Sequence, residues 1–121
     1  MFTDEEVELA HTLKADGLMW APAVGHFVWD REHLIKHASP FGGRTYFILE
    51  MKHFLRRSRS LEHLTESMVW LPTWPQVREQ LRIRGVSGDV IAKQLADHRA
   101  IEEGCERLEL YRLLHQMIRQ R

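Results

Sequence analysis

Eight histidines are the most conspicuous chemical resource of this 121-residue chain. His33 and His37 stand four apart, the spacing that sets two imidazoles on one helix face as a metal site needs. No third ligand lies within reach: Asp30 and Glu32 are the only nearby carboxylates, and the single cysteine, Cys105, is far along the chain. No metal site is therefore expected. His26 alternates with Val28 in an apolar stretch, where a half-buried, hydrogen-bonded imidazole is a simpler reading than a catalytic base. His53 and His63 flank a basic segment and could sense pH, although a solvated position explains them equally.

Nucleophilic chemistry finds little support. Cys105 falls on an apolar stripe, where a thiol is usually a small inert hydrophobe. The serines lie mainly at caps and turns, none in a G-x-S-x-G elbow. Gly42-Gly43 and Gly85 to Gly88 are turn glycines outside any phosphate-binding fingerprint. No pair of carboxylates repeats with acid–base spacing. No catalytic residue and no cofactor is expected, and the reading leans away from an enzyme.

Binding is better served. Seventeen basic residues balance seventeen acidic ones, so no overall field announces nucleic acid or an anionic membrane. The balance is uneven along the chain: residues 52–84 hold seven basic and three acidic side chains, residues 1–51 four basic and eight acidic. Lys52, Arg56 and Arg59 recur at helical spacing opposite Met51, Phe54 and Leu55, with Arg57 on the edge. This is a candidate basic binding face for phosphates or an acidic partner, though the solvated back of an amphipathic helix is the simpler reading. The four tryptophans, at 20, 29, 70 and 74, sit at strand and helix-start positions that suit core or interface more than a stacking platform.

The elements that must position these groups are well punctuated. With 121 residues and 44% hydrophobic content, one domain spanning residues 1–121 with a real core is expected. The lone cysteine suits a reducing cytoplasm. The acidic start lacks the order of a signal peptide, and no apolar run reaches membrane-spanning length. Thr3 with Glu6 forms a capping box opening a helix to about Asp16, which Gly17 ends with Leu18 beside Leu13. Strands follow at Gly25–Asp30, with Phe27 and Trp29 on one face, and at Thr45–Leu49, apolar on both faces as a central strand should be. Between them, Asp30 to Ala38 reads as an irregular return strand, or as a short helix capped by Asp30. Glu50 to Ser67 reads as two helical pieces, Met51, Phe54 and Leu55 facing inward, then Ser60 capping a turn with Leu61 and Leu64.

The centre of the chain is Met68-Val69-Trp70-Leu71-Pro72-Thr73-Trp74-Pro75-Gln76. An apolar strand ends at Pro72, Thr73 and Gln76 form a capping box, and the following helix buries Trp74, Val77 and Leu81 before Gly85 stops it. A helical connection makes the strands at Thr45 and Val69 parallel neighbours, with the strand at Trp29 antiparallel to the central one. The expected fold is α+β: a small mixed sheet of about three strands packed with helices. The C-terminal third is helical, one helix from Ser87 carrying Val90, Ile91 and Leu95, and another from near Arg99 to the end. The last helix widens from a stripe of Ile101, Cys105 and Leu108 to a girdle that includes Leu110, Leu113, Leu114, Met117 and Ile118. A surface helix should keep a polar back, so those five residues are a candidate homodimer surface.

The strand at Gly25–Asp30, the Ser39-Pro40-Phe41 turn, the Tyr46-Phe47-Ile48-Leu49 strand and the Trp70-Leu71-Pro72-Thr73 junction, in that order, resemble a group of short uncharacterised bacterial and phage-associated proteins. The resemblance implies an α+β fold and carries no functional residue across. The expected function is non-enzymatic: a cytoplasmic protein that binds another macromolecule and self-associates, with an unidentified protein partner possible. The alternative is a small nucleic-acid-binding or regulatory protein using Lys52–Arg59. A hydrolase whose site is assembled from loops is the third reading, which a deep polar pocket near Trp70 to Gln76, lined by His26 or Asp30, would favour.

Overall fold

β1 (Phe27–Trp29) is the middle of a three-stranded sheet ordered β2-β1-β3, with β2 at Thr45–Phe47 and β3 at Val69–Leu71. The computed structural model describes Met1–Gln120, and the full element order adds α1 (Asp4–Ala15), α2 (Met51–Leu55), α3 (Leu61–Ser67), α4 (Trp74–Ile83), α5 (Gly88–Asp97), α6 (Ala100–Glu103) and α7 (Glu106–Arg119). The class is α+β with a helical C-terminal third. The chain divides into two compact units, one of Met1–Phe2 and Met19–Leu71, the other of Thr3–Leu18 and the residues from Pro72 onward.

In the first unit the sheet is antiparallel throughout, which corrects the expected mixed sheet. Val28 lies opposite Tyr46 on one side and Trp70 on the other, so β2 and β3 flank β1 and do not pair with each other. The outer side of β2 is closed at Thr45 by its own loop. The Thr45 amide donates to the Gly42 carbonyl at 3.3 Å, and its carbonyl accepts from the Ser39 hydroxyl. The outer groups of Thr45 are satisfied within its own loop, and the helical connection carries β3 to the far side of β1. The strand expected at the centre is thus an edge.

One sheet face packs Val28, Tyr46 and Ile48 with Ile35, Phe54, Leu64 and Met68. On the other, Phe27 gathers Phe2, Phe41 and Phe47 with ring centroids 4.7 to 5.4 Å away. Residues 31–38 form no regular helix or strand. The buried Asp30 carboxylate takes the amides of Leu34 and Ile35 at 2.9 and 2.8 Å, holding the loop without a helix. The Glu50–Ser67 stretch does form two helices, Ser60 capping the second through the His63 amide at 3.0 Å. Leu64 is buried there as expected, whereas Leu61 is exposed.

The second unit is helical. The Thr3–Glu6 capping box opens α1, and the Leu18 amide reaches the Leu13 carbonyl at 2.9 Å in the expected Schellman closure. At α4 the Gln76 side chain accepts from the Thr73 amide at 2.9 Å, and the helix buries Val77 and Leu81 with Trp74 half-buried. Gly85, at φ 80°, lets the Val86 amide return to the Leu81 carbonyl. Thr73→Ala should lower stability by about 1 kcal/mol by removing the acceptor for an orphan amide. A urea midpoint equal to wild type would remove that role.

The final helix is not continuous. Arg99 and Gly104 adopt left-handed backbone at φ 53° and 67°, the first separating α5 from α6 and the second splitting α6 from α7. Ile101 is 67% exposed, so it does not share a buried stripe with Leu108, and Val90 of α5 is also exposed. α7 packs against α1, α4 and α5.

Candidate functional site

A concavity with an apolar lining lies in the first unit and has a volume of about 630 Å³. Its walls come from three segments. The 35–41 loop supplies Ile35, Pro40 and Phe41, β2 and the residues after it supply Tyr46, Phe47 and Leu49, and α2 supplies Phe54. Successive strand side chains point to opposite faces, so a groove lined by both Tyr46 and Phe47 runs along the free edge of β2. Leu49 stands 77% exposed beside it, just past the end of β2 and between buried Ile48 and exposed Glu50.

The mouth is polar. His37, Glu50, His53 and Arg57 border it, and Glu50 is joined to His53 at 3.4 Å. The Tyr46 hydroxyl donates to the His37 carbonyl at 2.6 Å, fixing the loop against the strand. The lining contains no serine, threonine or cysteine.

The candidate basic face is placed differently from the expectation. α2 ends at Leu55, so Lys52 alone is helical, while Arg56, Arg57 and Arg59 lie in the turn that follows. All four are exposed, and among the described residues no carboxylate pairs with them. In the second unit Arg82 meets Glu79, Lys93 meets Asp97 at 2.8 Å and Arg112 meets Glu109, while exposed Arg78 and Arg99 have no carboxylate partner among the described residues.

The candidate dimer surface is corrected. Leu110, Leu113, Leu114 and Ile118 are buried and Met117 is half-buried, all within one chain. Three helices surround α7, so the wide apolar girdle has partners on several sides and offers no free face. Two polar residues of α7 find partners at its margins. His115 meets Asp16 at 2.6 Å, and Arg112 meets Glu109.

The remaining chemistry-bearing groups are structural. His33 adopts φ 57° in an irregular loop, so it shares no helix face with His37. Among the described residues no three metal-ligating side chains gather. Asp30 is committed to loop amides, and neither it nor His26 lines the groove. His26 accepts from the Trp20 indole at 3.0 Å through Nδ1 and stacks on Trp70 with ring centroids 5.2 Å apart. Cys105 caps no helix amide, and desolvation pushes its thiol above the ordinary range, with Glu109 and Glu103 adding to the rise. One contact escaped the sequence reading: Ser58 Oγ lies 2.8 Å from His63 Nδ1. The same hydroxyl reaches the Ser60 carbonyl at 2.9 Å, and the Arg59 amide approaches the same ring nitrogen, which marks a helix-entry network more than an activated serine.

Burial holds the His26 imidazole below its ordinary 6.5. Protonation would also set an N–H against the Trp20 N–H. The folded value is depressed, so this group's contribution is present above about pH 6.5 and is lost as pH falls from there toward the folded value. The stability of wild type should therefore fall between about pH 7 and pH 5.5 more steeply than that of His26→Asn. Equal slopes in chemical denaturation would dismiss the linkage.

Compared with family models, with curated proteins and with solved structures, the chain matches none of them.

Proposed function

We propose that this protein is a non-catalytic cytoplasmic binding module that holds a partner protein in the groove beside β2. The observation that carries the reading is the groove itself: an apolar concavity of about 630 Å³ along an edge strand, with Leu49 exposed at its side. Apolar concavities with a few polar groups at the mouth are the usual form of a binding site, and a large exposed apolar side chain there favours a partner that covers it. The cytoplasmic setting agrees with a single cysteine that is half-buried.

The test is a random peptide library displayed on phage and selected on the immobilised full chain. Enrichment of peptides that bind wild type and not Leu49→Asp supports the groove. Peptides binding both proteins equally would place recognition elsewhere. A second copy of the chain is the competing occupant. Sedimentation equilibrium at concentrations on the order of tens of micromolar separates the two. A monomer leaves the partner reading standing, and a dimer dissociated by Leu49→Asp replaces it.

Nucleic acid is the second reading, favoured by the unpaired Lys52, Arg56, Arg57 and Arg59. Titration with single-stranded and duplex DNA at two salt concentrations tests it, since phosphate binding weakens steeply with salt.

A further inference from the structure

We infer that the groove takes an extended peptide segment carrying one bulky apolar side chain flanked by carboxylates. The inference rests on the binding reading above and adds the partner's chemistry. Three observations converge. The first is shape: the groove follows the edge of β2, lined by Phe41, Phe47 and Phe54, and its volume of about 630 Å³ accommodates a bulky apolar side chain together with the chain on either side of it.

The second observation is backbone geometry. Hydrogen-bonded pairs join β1 and β2 at His26 with Ile48 and at Asp30 with Arg44, so alternate residues of β2 face away from β1. Thr45 and Phe47 are those residues. The 39–42 loop closes Thr45, while among the described residues no loop hydrogen bond closes Phe47. Phe47 therefore presents an N–H and a C=O beside the groove, the arrangement by which an added strand pairs with a sheet edge.

The third observation is charge. Arg57 borders the groove, and Lys52, Arg56 and Arg59 lie within five residues of it in sequence, exposed and without carboxylate partners among the described residues. One acidic group, Glu50, also stands at the mouth, 3.4 Å from His53, so the four cations outnumber it. An apolar anchor beside free cations is complemented by an apolar anchor beside carboxylates. Duplex nucleic acid would use the cations and leave the groove and Leu49 uncovered, so the acidic peptide accounts for more of the surface.

The experiment uses the full chain and three fluorescein-labelled nine-residue peptides followed by anisotropy. One has a central phenylalanine flanked by glutamates, a second replaces that phenylalanine by alanine, and a third replaces the glutamates by lysines. The first should bind, and the other two should bind at least about tenfold more weakly. Leu49→Asp and the double variant Lys52→Glu/Arg57→Glu should each lose about tenfold as well, since one removes apolar contact and the other reverses the charge. These side chains are exposed, and unfolding midpoints equal to wild type confirm that the variants fold. Amide shifts at Phe47 and Leu49 on adding the first peptide give an independent reading on wild type. Equal or tighter binding of the lysine peptide, with loss in Leu49→Asp, would overturn the acidic chemistry and leave the groove. Absence of binding by all three peptides to about 1 mM, with no groove-dependent peptide from the phage selection, would overturn both. Binding of duplex DNA that is sensitive to the charge reversal and indifferent to Leu49→Asp would put nucleic acid in place of the peptide.

Discussion

Arg107→Ala should destabilise the second unit by about 3 kcal/mol, one of the two largest effects expected of a single substitution in this protein. Glu6 is only 3% exposed although it lies in the first turn of a helix, where acidic side chains usually face water. Its carboxylate accepts from the Thr3 amide at 2.8 Å and from the Arg107 guanidinium, once at 3.1 Å and again through Nε. Removing the arginine leaves a buried carboxylate with the amide and without its counter-charge, and an uncompensated buried charge costs more than the intact pair contributes. The guanidinium is partly exposed, which puts the cost at the low end of the range for buried pairs.

The pH dependence gives this prediction a second readout. Burial pushes the Glu6 carboxyl upward, but the Arg107 hydrogen bond and charge, together with the Thr3 amide, outweigh it and hold the group below its ordinary 4.5. Since the folded value is depressed, the contribution is fully present above about pH 4.5 and is lost as pH falls through the folded value. The gap in denaturation midpoint between wild type and Arg107→Ala should therefore be widest near neutral pH and narrow below pH 4.5. A gap that stays constant into the acid range would mean that Arg107 acts through the packing of its stem and not through Glu6.

Local devices were legible because their physics is local. The Thr3–Glu6 and Thr73–Gln76 boxes, the Gly17 closure and the Ser60 cap each involve residues within five positions of one another, and each is found as read. Errors arose where a distant segment decides. The apolar alternation of Thr45–Leu49 suited a central strand, yet Ser39 and Gly42 occupy the outer groups of Thr45, and the central place falls to Phe27–Trp29. The basic run at 52–59 had helical spacing, but the helix stops at Leu55. The groove was not legible at all, because its three walls come from separated segments whose residues each look like ordinary core. Leu49 was the one available signal, a fifth apolar-patterned residue whose alternation cannot be buried once Ile48 is. The Glu6–Arg107 pair, a hundred and one positions apart, carried no signal in either partner.

Leu114→Ala is the other substitution expected to have a large effect, and it tests what the wide apolar surface of α7 is for. Leu114 is fully buried at 0% exposure, and Leu110, Tyr111 and Leu113 around it are buried too. Truncation to alanine removes three carbons and leaves a cavity that helices crossing on several sides cannot close, for a loss of about 2–5 kcal/mol. Tyr111 fixes the same region by donating its hydroxyl to the Pro72 carbonyl, which limits how far α7 can shift to fill the space. If the girdle were instead a surface between two copies, Leu114→Ala would leave a folded monomer and lower the association constant. The two accounts differ in a single urea titration repeated at several protein concentrations. Burial within one chain predicts a lowered midpoint that does not move with concentration, whereas a self-association surface predicts a midpoint that rises with it. A midpoint at the wild-type value would contradict the core position of Leu114 outright, since no buried leucine in a close-packed helical core is truncated without loss.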